Sequence, residues 1–146
     1  MENKRIIYTT PEGTLAVVIP APGVTLEQVM KAVPADALHE VVDVADVPSD
    51  RTFRSAWQHD KTTSPRKVAV DVVKAKDITH GRRRAKRDAE MAPHDEIIMK
   101  QIPGKSAQAA ENERQKIRNK HGAIQVDIDA AADDVELKAI IDREGL

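Results

Sequence analysis

The three aromatic side chains of this chain, Tyr8, Phe53 and Trp57, all fall within its first 57 residues, and the 89 residues that follow contain none. Aromatic side chains contribute the largest single increments of burial in a small core, so the front segment reads as a folded module and the rest must be organised in another way. At 146 residues, the length suits one ordinary domain or a small domain with a helical arm. The composition favours the second. Apolar residues make up 40% of the chain, and many of them are Ala and Val, which bury less area than Leu or Phe. A core of fewer than about 70 residues supplies only a few kcal/mol. A front module of about 60 residues would therefore gain from a partner surface, which makes docking or oligomerisation an expectation.

Cysteine is absent, which removes disulfides, thiolate metal sites and a cysteine nucleophile. The start, Met1-Glu2-Asn3-Lys4-Arg5, leads into a β-like run instead of an apolar signal core, and no stretch approaches 18 apolar residues. The expectation is a soluble, unprocessed protein made in a cytoplasm, with no membrane partner. The net charge of −1 hides an uneven distribution. Residues 1–60 carry five Lys and Arg against nine Asp and Glu, residues 61–100 eleven against six, and residues 101–146 seven against nine. A basic middle between acidic flanks marks an interaction face or a surface that satisfies itself, within one chain or between subunits.

Arg5 to Thr10 is rich in β-branched and aromatic types, Pro11-Glu12-Gly13 follows, and Thr14 to Ile19 repeats the pattern, which predicts a β-hairpin. Pro20 and Pro22 stop the second strand. Thr25 with Gln28 forms a capping-box pattern, predicting a short helix from Leu26 to Val33 that Pro34 ends. Leu38 to Val44 reads as a third strand, which closes a ββαβ unit. Phe53 and Trp57 share a face if their segment is helical. They then either cap the core of the small sheet or, at Trp57, anchor a partner.

Residues 61–66 read as a linker between a module at 1–60 and a charged helical region at 67–146. Lys67 to Val70 is a short extended piece. Asp71 is a candidate N-cap for a helix carrying Val72, Ala75, Ile78 and Thr79 on one side. Pro93 interrupts that helix, and Pro103-Gly104 makes a turn. Ser106 caps a helix to about Lys120 with a thin stripe of Ala107, Ala110 and Ile117, which Gly122 ends. Residues 123–129 alternate without a firm assignment, and Asp133 or Asp134 caps a last helix from Val135 to Asp142. The fold class is α+β: a small N-terminal ββαβ module followed by an extended helical arm or a helical hairpin.

Catalytic chemistry finds little support. The histidines at 39, 59, 80, 94 and 121 lack the spacing that puts two metal ligands on one helical face. The six glycines stand singly, so no phosphate loop exists. No serine lies in a Gly-x-Ser-x-Gly elbow. No catalytic residue, cofactor or metal is therefore expected. The run Arg82 to Arg87 is the one feature suited to a polyanion. It has no interleaved aromatics, and Asp71, Asp77, Asp88 and Glu90 dilute it, so the balance is against nucleic acid.

The run Asp50-Arg51-Thr52-Phe53-Arg54-Ser55-Ala56-Trp57, followed by Lys74-Ala75-Lys76-Asp77-Ile78, resembles small tailed-bacteriophage proteins of the tail-fibre and tail-assembly gene neighbourhood. Further elements fit the same group: Arg82, Arg84 and Arg87, then Asp95 and Met99, then Gln115-Lys116-Ile117-Arg118-Asn119, and a closing Glu136-Leu137-Lys138. The rear half is in turn similar to phage tail assembly chaperones, without their tryptophans. The resemblance implies a phage protein that acts by protein–protein docking. The expected role is a structural component of the virion at the tail or its fibres, made in the host cytoplasm, homo-oligomeric and bound to other phage structural proteins. The alternatives are an assembly chaperone absent from the mature particle, or a nucleic-acid-binding protein using residues 82–87. The expected partner-binding residues are Phe53, Trp57, Arg51 and Arg54 at the junction, with Arg82, Arg84, Arg87 and Arg118 on the arm.

Overall fold

The computed structural model describes residues 3–146; Met1 and Glu2, at the start of the lead-in to the first strand, lie outside the described residues. The chain is α+β and divides into two units, residues 1–74 and 75–146.

The first unit is built on the hairpin of β1 (Lys4–Thr9) and β2 (Leu15–Val18), joined by a turn in which the Gly13 amide donates to the Thr10 carbonyl at 2.9 Å. A short helix α1 (Leu26–Met30) follows, with both halves of the Thr25/Gln28 capping box formed. Strand β3 (His39–Asp43) then pairs with β1 to give an antiparallel sheet of order β2-β1-β3. Alternation along β1 sorts its side chains between two faces. Ile6 and Tyr8 pack with Val29 and Val33 of the α1 region, whereas Ile7 packs with Leu15, Val42 and Trp57.

The second face is covered by a hairpin that sequence periodicity did not resolve. Arg54–Ala56 is a 3₁₀ turn that delivers Trp57 into β4 (Trp57–His59), and β4 pairs antiparallel with β5 (Val68–Val70). Two expectations are corrected here. Phe53 and Trp57 are not on a common helix, because Trp57 is the first residue of a strand whose backbone pairs with Val70. Residues 61–66 are not a linker, because they form the loop of this hairpin, closed by the Asp60 amide on the Lys67 carbonyl at 2.7 Å. The division between the units falls after Lys74.

The second unit is helical. Helix α2 (Val72–Lys100) starts at Asp71, whose Oδ1 accepts from the amides of Val73 and Lys74. It runs through Pro93 without a break. Helix α3 (Ala107–Ala130) is capped by Ser106 and continues well past Gly122, so the alternating residues 123–129 are helical. Helix α4 (Asp134–Glu144) is capped by Asp133 and closed by Gly145 in the left-handed region. Side-chain pairs set the register of α2 on α3: His80 to Asp129, Glu90 to Lys120 and His121, and Asp95 to Arg114. Partner numbers fall as α2 rises, so the two helices form an antiparallel hairpin. Arg143 of α4 pairs with Asp127 of α3 at 2.9 Å, and Lys86 of α2 donates to the Glu144 carbonyl.

The interior of this unit is Ala75, Ala110, Ile124, Ile128, Leu137, Ile140 and Ile141, with Thr79, Arg83 and His121 buried among the polar groups. The expected α3 stripe is displaced: Ala110 is buried, but the stripe continues through His121, Ile124 and Ile128. Among the described residues, no helix is long and apolar enough to cross a membrane.

Candidate docking cleft

The first unit carries an open cleft of about 490 Å³ beside the β4–β5 hairpin. Its floor begins with sheet geometry. Arg5, Ile7 and Val17 all stand on the face that Trp57 covers, because Ile7 pairs with Val17 and alternate residues share a side. Trp57 covers Ile7, and beyond it Arg5 and Val17 contribute to the cleft together with Ile19, just past the end of β2. The opposite wall is Val44, Val47 and Pro48 from the segment that follows β3.

The rim is shaped by a loop fixed through its own side chains. Asp50 Oδ1 accepts from the Thr52 amide at 2.9 Å and from the Thr52 hydroxyl at 2.6 Å, a local turn that directs the neighbouring residues. Arg51 and Arg54 project from this loop and line the cleft with Arg5. The Arg54 guanidinium carbon lies 5.8 Å from the centroid of the Trp57 ring, within cation–π range. Arg5 donates through Nη1 to the Lys4 carbonyl at 2.8 Å. Among the described residues, no Asp or Glu lines the cleft. Among the described residues, neither Arg51 nor Arg54 forms an ion pair.

The cleft therefore combines apolar walls with a positive rim in which Arg51 and Arg54 are free of ion pairs among the described residues. Ile19 is 66% exposed and Val44 41% exposed, so part of the apolar lining meets water directly. A second cleft of about 450 Å³ shares Arg5 and Ile19 and is otherwise formed by residues 20–26, with Arg5 its only charged residue among the described ones.

Of the residues expected to bind a partner, Arg51, Arg54 and Trp57 are brought together here. Trp57 is only 3% exposed and Phe53 5%, so neither is a free anchor. Both are buried in the first unit, and the arginines, not the aromatics, are what a partner would meet. The expected aromatic docking face is corrected accordingly.

The four arginines of the arm do not form one surface. Arg87 binds Asp88 through Nε and Nη2, and Arg118 binds Glu111 at 2.8 Å and Gln115 on its own helix. Arg82 reaches the Leu146 carbonyl, and Arg84 is exposed. Successive residues turn by about 100° on a helix, so residues 82–87 encircle α2, and Arg83 points inward at 5% exposure with no hydrogen-bond partner for Nε. Burial pushes the Arg83 guanidinium down, and Arg87 and Arg84 add to that. The run is therefore not a continuous basic stripe.

Sequence reasoning missed Arg5, Ile19, Val44 and Val47 as cleft residues, because their convergence depends on sheet pairing and on the hairpin laid over it. The exposure of Ile19 had one local signal: an apolar residue directly before Pro20, at the open end of an edge strand. Among the described residues, no group of three or more His, Asp or Glu is placed to hold a metal ion. Comparison with protein-family models, with curated proteins and with solved structures gives no match.

Proposed function

We propose that this chain is a non-enzymatic structural component of a tailed-phage particle, associated with the tail or its fibres, and that it acts by docking protein through the arginine-rimmed cleft. The observation that carries the docking reading is the pairing of exposed apolar lining with two arginines, Arg51 and Arg54, that form no ion pair among the described residues. Such a surface gains from a partner twice: the apolar walls lose water contact, and guanidinium groups gain planar, bidentate acceptors. The placement in a phage tail or fibre rests on the resemblance of residues 50–57 and of the helical elements to that group of phage proteins.

The experiment is quantitative mass spectrometry of purified particles carrying either the wild-type chain or a chain with Arg51→Glu and Arg54→Glu. The wild-type chain is expected at fixed stoichiometry to the tail proteins, and the double variant well below it. Both substitutions are at exposed positions, so they test docking without opening the core, as Trp57→Ala would. Absence of the wild-type chain from particles, with co-purification on an unassembled tail protein, overturns the structural role in favour of an assembly factor. Packaging of the double variant at wild-type copy number overturns the role of the cleft.

A further inference from the structure

We propose that the cleft receives the amino-terminal turn of α4 from a second copy of this chain, so that copies join head to tail. The proposal rests on the docking reading above and names its occupant. A fitting occupant must offer an apolar side chain flanked by carboxylates that are not already ion-paired.

The large hydrophobic residues most exposed on the helices are Val73, Met99, Val126 and Val135. Val73 and Met99 are each followed by a lysine, and Val126 by Asp127, which is occupied by Arg143. Val135 is different. It is 70% exposed and stands among Asp133, Asp134 and Glu136, and among the described residues none of these three carboxylates forms an ion pair.

The turn is also stiff. Asp133 Oδ1 accepts from the Glu136 amide at 2.9 Å, and Glu136 Oε2 accepts from the Ala132 amide at 2.6 Å. Two of the three carboxylates are thereby held in place, which lowers the entropy cost of binding. A small apolar knob inside an acidic ring complements an apolar cleft inside a basic rim. With a net charge of −1, copies of the chain repel one another little.

Because knob and cleft are different surfaces, the contact is heterologous. Each copy uses both surfaces, so association continues past the dimer, into a ring if the rotation closes and a filament if it does not.

The test is sedimentation velocity on the full chain over a concentration series at low and high salt. Wild-type mass should rise beyond that of a dimer with concentration, and should fall as salt rises. Two double variants, R51E/R54E and D134K/V135K, should each associate about tenfold or more weakly than wild type. Mixed in equal amounts, they should form a heterodimer and nothing larger, since one retains the knob and the other the cleft. Unchanged ellipticity at 222 nm and an unchanged urea midpoint of Trp57 emission in the isolated variants show that each still folds.

A wild-type chain that stays monomeric overturns the proposal, even if the cleft then binds another phage protein. Wild-type-like association by either double variant, or no heterodimer on mixing, also overturns it. Self-association through these surfaces by a chain absent from particles would sink the virion role and leave this inference standing. A packaged chain that is monomeric in solution would do the reverse.

Discussion

His121 is 1% exposed, and its Nε2 stands 3.3 Å from a Glu90 carboxylate oxygen that also takes Lys120 at 2.6 Å. Burial pushes the His121 imidazole below its ordinary value of 6.5, with the Glu90 hydrogen bond and charge opposing this and Lys120 and Arg83 adding to it. For Glu90 burial works upward, but the Lys120 and His121 hydrogen bonds together hold the carboxyl below 4.5. The signs give two separate windows. Between 6.5 and the lower folded value of His121, the unfolded chain binds more protons, so stability falls as pH falls through that interval. Glu90 contributes stability above 4.5 that is lost only on further acidification. Denaturant titrations followed by ellipticity should therefore show lower stability at pH 5.5 than at pH 7.5, by at most about 1.4 kcal/mol per pH unit for one proton. His121→Gln, which can still donate to Glu90, should remove most of that difference. Equal pH dependence in the variant would show that another group carries it. The position of His121 was legible in part: with Ala110, Ile117, Ile124 and Ile128 it falls at spacings of three, four and seven. Metal-ligand spacing asks about pairs of histidines and is silent on one histidine in a helical core stripe.

At the scale of elements, local punctuation was decisive where no tertiary contact opposed it. The β1–β2 hairpin, the start of α1 at its capping box, and β3 stand where propensity and turn chemistry put them, whereas α1 ends at Met30, short of the expected Val33 and of Pro34. Pro93 and Gly122 did not end their helices. Pro93 lacks an amide to donate, but α2 is fastened on both sides of it by Glu90 to Lys120 and Asp95 to Arg114. Gly122 lies between His121 and Ile124, both buried, so packing holds α3 helical through it. The same reasoning gives opposite signs for one substitution at two glycines. Gly13 sits at φ +83° in the β1–β2 turn, where a side chain is strained whatever the space around it. Gly81 is helical, with nothing within 4 Å of a built Cβ. Gly13→Ala should destabilise by about 1 kcal/mol or more, and Gly81→Ala should stabilise by about 0.5–1 kcal/mol through the unfolded chain and helix propensity. Thermal melts of the two variants against wild type decide this. Shifts of the same sign would contradict the backbone argument.

The aromatic division between the front and rear of the chain corresponds, at the scale of the molecule, to two interiors of different character. One is Ile6, Ile7, Val42 and Trp57 in a sheet covered on both faces; the other is an Ala- and Ile-lined helical interior that admits Thr79, Arg83 and His121. The boundary lies further along than the aromatics alone imply. Val68 and Val70 belong to the first interior through the β4–β5 hairpin, a pairing that composition cannot reveal. The single tryptophan reports on the first unit alone, while α2, α3 and α4 dominate the ellipticity at 222 nm. Two units whose interiors differ in composition are expected to unfold with different free energies. Urea titrations followed by Trp57 emission and by ellipticity should thus give different midpoints. Ile7→Ala should lower the emission midpoint and leave the ellipticity midpoint largely in place, and Ile128→Ala should do the opposite, each costing about 2–4 kcal/mol in its own unit. Coincident wild-type curves that both substitutions move equally would mean that the chain unfolds as one cooperative body. In that case the helical unit would depend on the sheet for its stability.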